Sequence, residues 1–572
     1  MLTLETSAPV AVPLVIGVTS HRNIPAHEID SIRQRVREFF AQLQRDFPAL
    51  PLVVLSALAE GGDQLVAQEA LSAGARLIAP LPLPRKLYAE DFHDPQVHAT
   101  FESLCARAQV INLPLLPSNS AQGIRNSGPQ RDRQYGQAGV FIARHCHLLL
   151  AVWDGKTSTQ LGGTAQVVQY YLSGVMPGLV ERRANARRHL LGVGNERLVC
   201  QIVCSRDGPD GAPPALLQPG QVLWHTPSAT SPVDTDMPPT FRTMFRRTAE
   251  FNADCAKYHV EIKQARDNAD APPTCPMDVL FSAADWLAIH FCHRVLLAMR
   301  TIYTLAALMA IAFNIYDNVP EQDAFIYVFL LLFAGGVLLT TIARRRDWHR
   351  KYLDYRALAE GLRVQSYLRR AGISLTEDPE FAQDSFLQKQ DIELGWTRNV
   401  MRSAGLDYAN QVPPDPAADL RTVIHEWVGD AEHGGQLEYY AGKAAQRVRE
   451  LRITEAIGRV SLYIGIGISL MLAMLAHWLP ADTKNAAVIA MATFSILAAV
   501  RESYAYRKAD KELIKQYRFM QRIFSAARSE LEHAADATES REILRGLGET
   551  ALAEHAEWAV MHRERPLEHG KL

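Results

Sequence analysis

The stretch AFIYVFLLLFAGGVLLTTIA, residues 324–343, contains no charged side chain. As a helix that rises about 1.5 Å per residue, a stretch of this length crosses the ~30 Å hydrocarbon core of a bilayer. It also lacks the polar stripe that a helix of a soluble protein usually keeps. The stretch therefore predicts a transmembrane helix. The alternative is a buried helical hairpin in the core of a soluble domain.

Three further apolar segments accompany this stretch, and together they predict four transmembrane helices in two hairpins. The first hairpin comprises residues 298–316 and 324–343, and the second comprises residues 460–479 and 485–500. The outer segments are short for independent spans, but a short polar connector joins each of them to a longer neighbour. No charged residue lies near the centre of a segment, which argues against an ion-coupled transporter.

Basic residues flank the segments on one side of the predicted membrane. Arginines follow residue 343, precede residue 460 and follow residue 500, whereas the two connectors carry mainly acidic residues. Lys and Arg are enriched in cytoplasmic loops. The sequence therefore predicts a multi-pass protein of the inner (plasma) membrane with both termini in the cytoplasm. The N-terminus has no signal-peptide pattern, so the N-terminal half should be cytosolic.

The two hairpins look like a repeat. A shift of 155 residues aligns Arg346 with Arg501 and Leu358 with Leu513. Each hairpin is followed by a charged amphipathic pattern, which predicts a helix over residues 348–370 and another over 504–531. A duplication would make the chain a pseudo-dimer and favours a homo-oligomeric membrane assembly. Two unrelated hairpins with ordinary basic flanks are the alternative.

Residues 12–230 alternate between apolar, strand-like runs and amphipathic helical patterns. Because the strand-like runs are apolar on both faces, this alternation predicts an α/β fold with a Rossmann-like parallel sheet between layers of helices. The ligand crevice of such a sheet lies beyond the carboxyl ends of its strands. The predicted strands are residues 13–19, 51–58, 76–83, 147–153, 198–204 and 222–226.

Glycine and polar residues follow three of these strands and predict a binding site for a nucleotide-type ligand. Glycines at a strand-to-helix turn let the backbone approach a phosphate, which the helix N-terminus then binds. Arg22 would pair with phosphate, and His21 with phosphate or ribose. Asp63 or Asp154 would accept from hydroxyl groups. Ordinary turns, with Asp63 only capping its helix, are the alternative. The ligand-binding candidates are Gly17, Thr19, Ser20, His21 and Arg22 after the first strand, Ser56, Glu60, Gly61, Gly62 and Asp63 after the second, and Asp154, Gly155, Gly162, Gly163 and Thr164 after the fourth.

Composition and motifs argue against several functional classes. The 572 residues include 60 Lys and Arg against 62 Asp and Glu, so no basic footprint for nucleic acid is expected. Seven cysteines, an odd number, indicate a reducing compartment. There is no P-loop and no complete dinucleotide-binding glycine motif. His145, Cys146 and His147 stand at a strand entry, where alternation separates neighbouring side chains, so no metal site is predicted. No nucleophile–His–Asp order stands out, so no catalytic residue is assigned.

Three motifs resemble the SLOG superfamily, whose Rossmann-like members include the DNA-processing protein A fold and the "lonely guy" phosphoribohydrolases. They are GVTSHRNI from residue 17, SALAEGGDQLVAQEA from residue 56 and LLLAVWDGKTSTQLGGTAQVV from residue 148. The resemblance implies a nucleotide-binding domain. The hydrolases carry a Glu three positions after the Thr of their motif, whereas Val167 stands three positions after Thr164 here. The resemblance therefore implies a sensor more than a hydrolase.

The membrane half resembles the SLATT family of two-helix membrane domains. The resemblance is carried by Trp427, Tyr439, Tyr440 and Lys443 before the second hairpin, by Trp286 as a weaker counterpart before the first, and by the basic helix after each hairpin. It implies a pore-forming or membrane-disrupting effector of bacterial conflict systems, triggered when a partner domain binds a nucleotide-derived signal.

These observations lead to competing functional hypotheses. The first is an effector that senses a nucleotide or an NAD-derived ligand and permeabilises the membrane in antiphage defence. The second is a membrane-tethered nucleotide-processing enzyme of the phosphoribohydrolase type, and the third is a scaffold without a ligand. The predicted domains are a SLOG-like domain (residues 12–230), a first SLATT-like unit (281–371) and a second SLATT-like unit (425–535). A linker (231–280), a helical or loop connector (372–424) and a polar helical tail (536–572) make up the rest.

Overall fold

The computed structural model divides the chain into two compact units. The first contains Met1–Ala283 and Gln383–Val412, and the second contains Ala284–Ala382 and Pro413–Leu572. The structure describes residues 9–180, 197–208, 210–227, 236–268, 273, 275–319, 321–373, 394–406, 416–430, 433–475 and 477–563.

A mostly parallel sheet forms the centre of the first unit. Its described strands are β1 (Leu14–Ser20), β2 (Leu52–Leu55), β3 (Arg76–Leu81), β4 (Gln109–Asn112), β5 (Leu148–Trp153), β6 (Val199–Val203) and β7 (Val222–His225). Their order is β4-β3-β2-β1-β5-β6-β7, and only the β6–β7 pair is antiparallel among these strands. The predicted α/β fold is confirmed. The sequence missed β4 because this edge strand is only partly buried and has polar ends.

Helices surround the sheet and form the described part of the second unit. They are α1 (Ile29–Asp46), α2 (Gly62–Ser72), α3 (Arg85–Ala89), α4 (Pro95–Arg107), α5 (Pro129–His145), α6 (Thr164–Ser173), α7 (Pro239–Lys257), α8 (His259–Asp267), α9 (Pro276–Asn318), α10 (Ala324–Arg345), α11 (Trp348–Arg370), α12 (Gly395–Leu406), α13 (Pro416–Val423), α14 (Gly435–Leu475), α15 (Ala481–Lys508), α16 (Asp510–His533) and α17 (Ala537–Arg563). A π-helical turn, Ile424–Val428, follows α13.

Burial explains why the central strands are apolar at consecutive positions. The side chains of β1 are buried from Leu14 to Thr19, and those of β5 from Leu148 to Val152. Because alternate side chains of a strand point to opposite faces, both faces of the sheet are covered. On α1, buried residues recur every three or four positions, which directs one apolar face towards the sheet.

The strand order fixes where a ligand crevice lies. From β1 the chain continues to β2 on one side, whereas β5 pairs with β1 on the other side. The carboxyl ends of β1 and β5 therefore form the topological switch point, where open α/β sheets bind ligands.

Part of the predicted linker, residues 231–280, folds as helices α7 and α8 of the first unit. On α7, the Asn252 amide donates to the carbonyl oxygens of Val12 and Ala49, each at 2.9 Å. Phe245 of the same helix is 1% exposed. The linker prediction is therefore wrong for both helices. The sequence between α8 and α9 contains the prolines Pro272 and Pro273.

Helix α12 also belongs to the first unit, although it falls within the predicted connector, residues 372–424. Its Trp396 is 1% exposed and packs against Phe251 of α7, with ring centroids 5.9 Å apart. The predicted helical or loop connector is thus helical here, and this helix is part of the first unit. Periodicity alone does not reveal which sheet or helix buries an apolar face.

Among the described residues, α9, α10, α14 and α15 are long and apolar enough to cross a membrane. They coincide with the four predicted segments, although α14 ends at Leu475 rather than at residue 479. The prediction of four helices with the length and composition of membrane spans is therefore confirmed. The apolar side chains of α10 are exposed, with Tyr327 at 71% and Leu331 at 73%. A soluble core would bury such side chains, so the exposure argues against the soluble alternative.

Both hairpins lead into their amphipathic helix through one left-handed residue. Asp347 separates α10 from α11 with φ +49°, and Ala509 separates α15 from α16 with φ +53°. The two breaks occupy equivalent places in the hairpins. The shift of 155 residues pairs Asp347 with Glu502 instead, about two helical turns before the second break. The two breaks therefore do not follow the predicted shift, and the duplication itself stays a prediction.

The two hairpins contact each other between α9 and α15. The Asn314 amide of α9 donates a hydrogen bond to the backbone carbonyl of Ile489, at 3.0 Å. Nearer the other end of the helices, the Tyr303 and Tyr504 rings meet edge to face, with centroids 5.7 Å apart. Polar contacts between apolar helices favour association in lipid.

Candidate functional site

A cavity of about 550 Å³ lies at the carboxyl ends of β1 and β5 in the first unit. It occupies the switch point of the sheet, where the sequence predicted the crevice. Nine predicted ligand-binding residues line it, and they come from all three predicted strand ends. They are Thr19, Ser20, His21, Arg22, Asp63, Asp154, Gly162, Gly163 and Thr164.

His21 and Asp154 form a pair on the floor of this cavity. The Nε2 atom of His21 lies 3.0 Å from Oδ1 of Asp154, which is 1% exposed. On the other carboxylate oxygen, Arg206 places its Nε atom at 2.8 Å. Burial lowers the pKa of His21, and the adjacent carboxylate opposes that shift. His21 is therefore neutral at pH 7, and a proton on Nε2 leaves Nδ1 as an acceptor.

Asp63 is the second buried carboxylate of the cavity. The Ser20 hydroxyl donates to its Oδ1 atom at 2.6 Å, and the Ala59 amide and Ser56 hydroxyl add further hydrogen bonds. Burial raises the pKa of Asp63 to about 6 despite these contacts. Asp63 does not cap α2, because Gly61 is the N-cap residue and no side chain bonds there. Its role is to join the loops that follow β1 and β2.

An aromatic and basic group forms another wall. The Arg22 guanidinium carbon lies 5.7 Å from the centroid of the Tyr135 ring. The Tyr135 hydroxyl donates to Asp91 and accepts from Nε of Arg131, at 2.7 Å. Burial and the bond to Asp91 raise the pKa of Tyr135 to about 12. The tyrosine stays protonated and holds the exposed Arg22 at the cavity. Tyr88 and Pro82 continue this wall.

The N-terminus of α6 also lines the cavity. Gly163 is its N-cap residue, and no side chain caps the helix there. The first amide groups are therefore free of a side-chain partner and face a cavity that Gly162, Thr164 and Ala165 also line. Gly162 has φ +75°, and a Cβ there would lie 2.7 Å from the Gly136 nitrogen. Only glycine fits this turn.

The remaining predicted residues do not line the cavity. A Cβ on Gly17 would lie 2.7 Å from the Ile142 side chain, so this glycine allows close packing between strand and helix. Gly61 and Gly62 pack against the Arg22 backbone and the Ser20 side chain, and so shape the loop that carries His21. The predicted residues outside the cavity lining are Gly17, Ser56, Glu60, Gly61, Gly62 and Gly155.

The cavity also contains residues that the sequence did not indicate. Lys156 and Arg206 supply positive charge, and Tyr88 and Tyr135 supply aromatic surface. The aromatic residues come from helices α3 and α5, which carry no glycine turn or polar cluster to mark them. Lys156 stood inside the quoted motif but gave no signal of its own.

The helix position three residues after Thr164 points away from the cavity. Val167 is 3% exposed and belongs to the core cluster between α5, α6 and the sheet. A Cβ on Gly139 of α5 would lie 2.5 Å from the Val167 side chain, so the two helices pack closely here. No group of three or more His, Cys, Asp or Glu suited to a metal ion occurs in the described part of the chain.

Comparison with protein-family models finds no match, and comparison with curated proteins finds none either. The resemblance to the SLOG and SLATT families therefore stays a prediction that rests on the quoted motifs.

Proposed function

We propose that this chain is a membrane effector whose α/β unit senses a nucleotide or an NAD-derived ligand. The observation that carries the proposal is the union, in one chain, of a polar switch-point cavity with four helices suited to a bilayer. Ligand binding would shift the hairpins into a state that permeabilises the membrane. Antiphage or conflict defence is the biological setting that the family resemblance implies.

The chemistry of the cavity favours a ligand with an anionic part and a hydroxyl-bearing part. The α6 N-terminus, Arg22 and Lys156 provide donors for phosphate. Nδ1 of His21 and the Asp154 carboxylate provide acceptors for ribose hydroxyls. The Tyr88 and Tyr135 surfaces suit a planar ring. A volume of about 550 Å³ lies in the range of small-molecule sites.

The membrane arm would be a multi-pass inner-membrane assembly with both termini in the cytoplasm. This orientation follows from the Arg-rich flanks of the helices and the acidic tips. A homo-oligomer would be required for a pore, because the spans offer small and weakly polar residues rather than central charges. Gly465 illustrates the close contacts available, since a Cβ there would lie 3.3 Å from the Ser495 hydroxyl.

The energetic requirement on the ligand is modest. It must bind the active state more tightly than the resting state, and a tenfold difference supplies about 1.4 kcal/mol. A ligand with equal affinity for both states would leave the membrane arm unchanged, however tightly it bound.

The test is dye leakage from liposomes that contain the purified full chain, across a panel of AMP, ADP, ATP and NAD, with products followed by chromatography. Leakage without turnover supports the effector. The Gly163→Glu variant should lose the response, and Gly163→Ala should keep it. Turnover without leakage would overturn the proposal. An absence of any nucleotide effect would overturn the assignment of the ligand class.

A membrane-tethered nucleotide-processing enzyme is the second candidate, and the His21–Asp154 pair favours it. A neutral imidazole held by a buried carboxylate is suited to accept a proton from an attacking water. The buried Val167 side chain counts against the phosphoribohydrolase route. If the enzyme proposal is right, His21→Asn abolishes turnover in the same chromatography while nucleotide binding persists.

A further inference from the structure

Helix α14 carries a row of exposed side chains just before its candidate membrane span. The members recur at spacings of three and four residues, so they share one face of the helix. Ile453 is 63% exposed, Ile457 59% and Val460 56%. The α14 stripe is defined as Arg449, Arg452, Ile453, Ile457, Arg459 and Val460, all of them exposed.

The charges around this helix are separated by sign. Glu450 lies 3.1 Å from the Lys508 amine, and Glu455 lies 3.4 Å from the Lys511 amine. The acidic residues of this segment are therefore neutralised by α15 and α16. The described residues provide no ion pair for the three arginines of the α14 stripe. The α14 stripe itself therefore consists of basic and apolar side chains.

This face is continuous with the part of α14 that is suited to contact lipid. Beyond Val460 the same helix exposes Tyr463 at 66% and Leu470 at 58%. On the N-terminal side of Val460, the stripe continues the apolar face for about two helical turns. This distance reaches the depth of the headgroup layer. Arginine stems cover apolar surface while their guanidinium groups reach phosphate.

We propose that the α14 stripe is a binding surface for the headgroups of anionic phospholipids. The isoleucines would lie at the boundary of the acyl chains, and Arg452 and Arg459 would bind lipid phosphates. If a second copy of the chain bound symmetrically to the stripe, the arginines of the two copies would face each other with no carboxylate between them. The repulsion between like charges disfavours a second copy as the binding partner. The proposal rests on the membrane helices and is independent of any ligand in the cavity.

The test measures the preference of the full chain for phosphatidylglycerol over phosphatidylcholine in detergent micelles, by energy transfer from tryptophan to dansyl-labelled lipid. The variant is Arg452→Gln/Arg459→Gln. Each basic residue near an anionic surface contributes about 1 kcal/mol, so the preference should fall by up to about 30-fold. Inorganic phosphate at the same concentration should not displace the lipid.

The control is Lys515→Gln/Arg518→Gln, which removes two exposed charges from α16. It should keep the wild-type preference, and both variants should elute as the wild type in size exclusion. Equal preference in the wild type and the Arg452/Arg459 variant would overturn the proposal. An equal loss in the control would overturn it too, because net charge alone would explain the binding. Dissociation of an oligomer in the Arg452/Arg459 variant would assign the stripe to a second copy instead.

Discussion

Replacing Gly163 by Glu should remove anion binding while leaving the fold intact. Gly163 is the N-cap residue of α6 and lines the cavity. Its φ of −73° is accessible to any residue. A Cβ there would lie 3.1 Å from the Gln160 carbonyl oxygen, which requires an adjustment of a few tenths of an ångström. A negative charge at a helix N-terminus does not destabilise the helix. We therefore expect the unfolding midpoint to change little.

The expected loss of binding follows from the distance between the two negative charges. For a carboxylate introduced at this position, we take a separation on the order of 5 Å from an anion bound at the α6 N-terminus. At an effective dielectric constant of about 20, two unit charges at that distance repel each other by ~3 kcal/mol. This repulsion corresponds to a loss of about 200-fold in affinity. A phosphate with more than one negative charge would lose more.

The assay is calorimetric titration of the full chain with AMP, ADP and NAD. Gly163→Gln is the matched control, because it has the size of Glu without the charge. We expect Gly163→Ala and Gly163→Gln to bind within about tenfold of the wild type, since neither adds charge. Equal weakening by Gln and Glu would show that bulk, not charge, is responsible. Unimpaired binding in Gly163→Glu would refute the placement of the phosphate.

Three further outcomes follow from single contacts. Gly61→Ala should lower the melting temperature more than Gly74→Ala, because both glycines have positive φ but only the Gly61 Cβ would meet a backbone oxygen, at 2.1 Å. Burial raises the pKa of Asp63 to about 6, above its ordinary 3.8. The wild type should therefore lose up to ~3 kcal/mol of unfolding free energy, relative to Asp63→Asn, as the pH rises from about 4 through 6 in denaturant titrations. Asn314→Leu removes the bond to Ile489, and should lower the stability of the membrane helices by ~0.6 kcal/mol in a steric-trapping measurement, whereas an unchanged stability would contradict that contact.

The sequence was sufficient where an element is buried on both sides or exposed to lipid. Strands β1 and β5 could be located because their two faces lie under helices and must both be apolar. The span 324–343 could be located because it is twenty residues long, uncharged and apolar on every side of the helix. In such places composition depends on burial alone, with little influence from any particular partner.

The sequence was insufficient where a residue acts through a partner distant in the chain. Tyr135 became part of the cavity because Arg131 and Asp91 hold its hydroxyl, and no spacing rule links these three residues to the strand ends. The same applies to Gly61 and Gly62. Their pattern suggested a phosphate turn, but they accommodate the loop after β1. A glycine pair signals close approach of the backbone without revealing what approaches it.

The partners of the charged groups indicate which of them are available to bind a ligand in the cavity. Arg206 already neutralises Asp154, which also holds His21. Asp63 is bound by the Ser20 hydroxyl and has a raised pKa. In contrast, Arg22 contacts the Tyr135 ring and, among the described residues, no carboxylate. Its charge is therefore available to an incoming anion without breaking an ion pair. The Asp154 carboxylate already accepts from the Lys156 amide at 3.0 Å and pairs with His21 and Arg206. Nδ1 of His21 is then the acceptor left for a hydroxyl group of the ligand, which a free phosphate monoanion uses less well than a sugar hydroxyl. A ligand that joins a phosphate to hydroxyl groups satisfies both halves of the cavity at once.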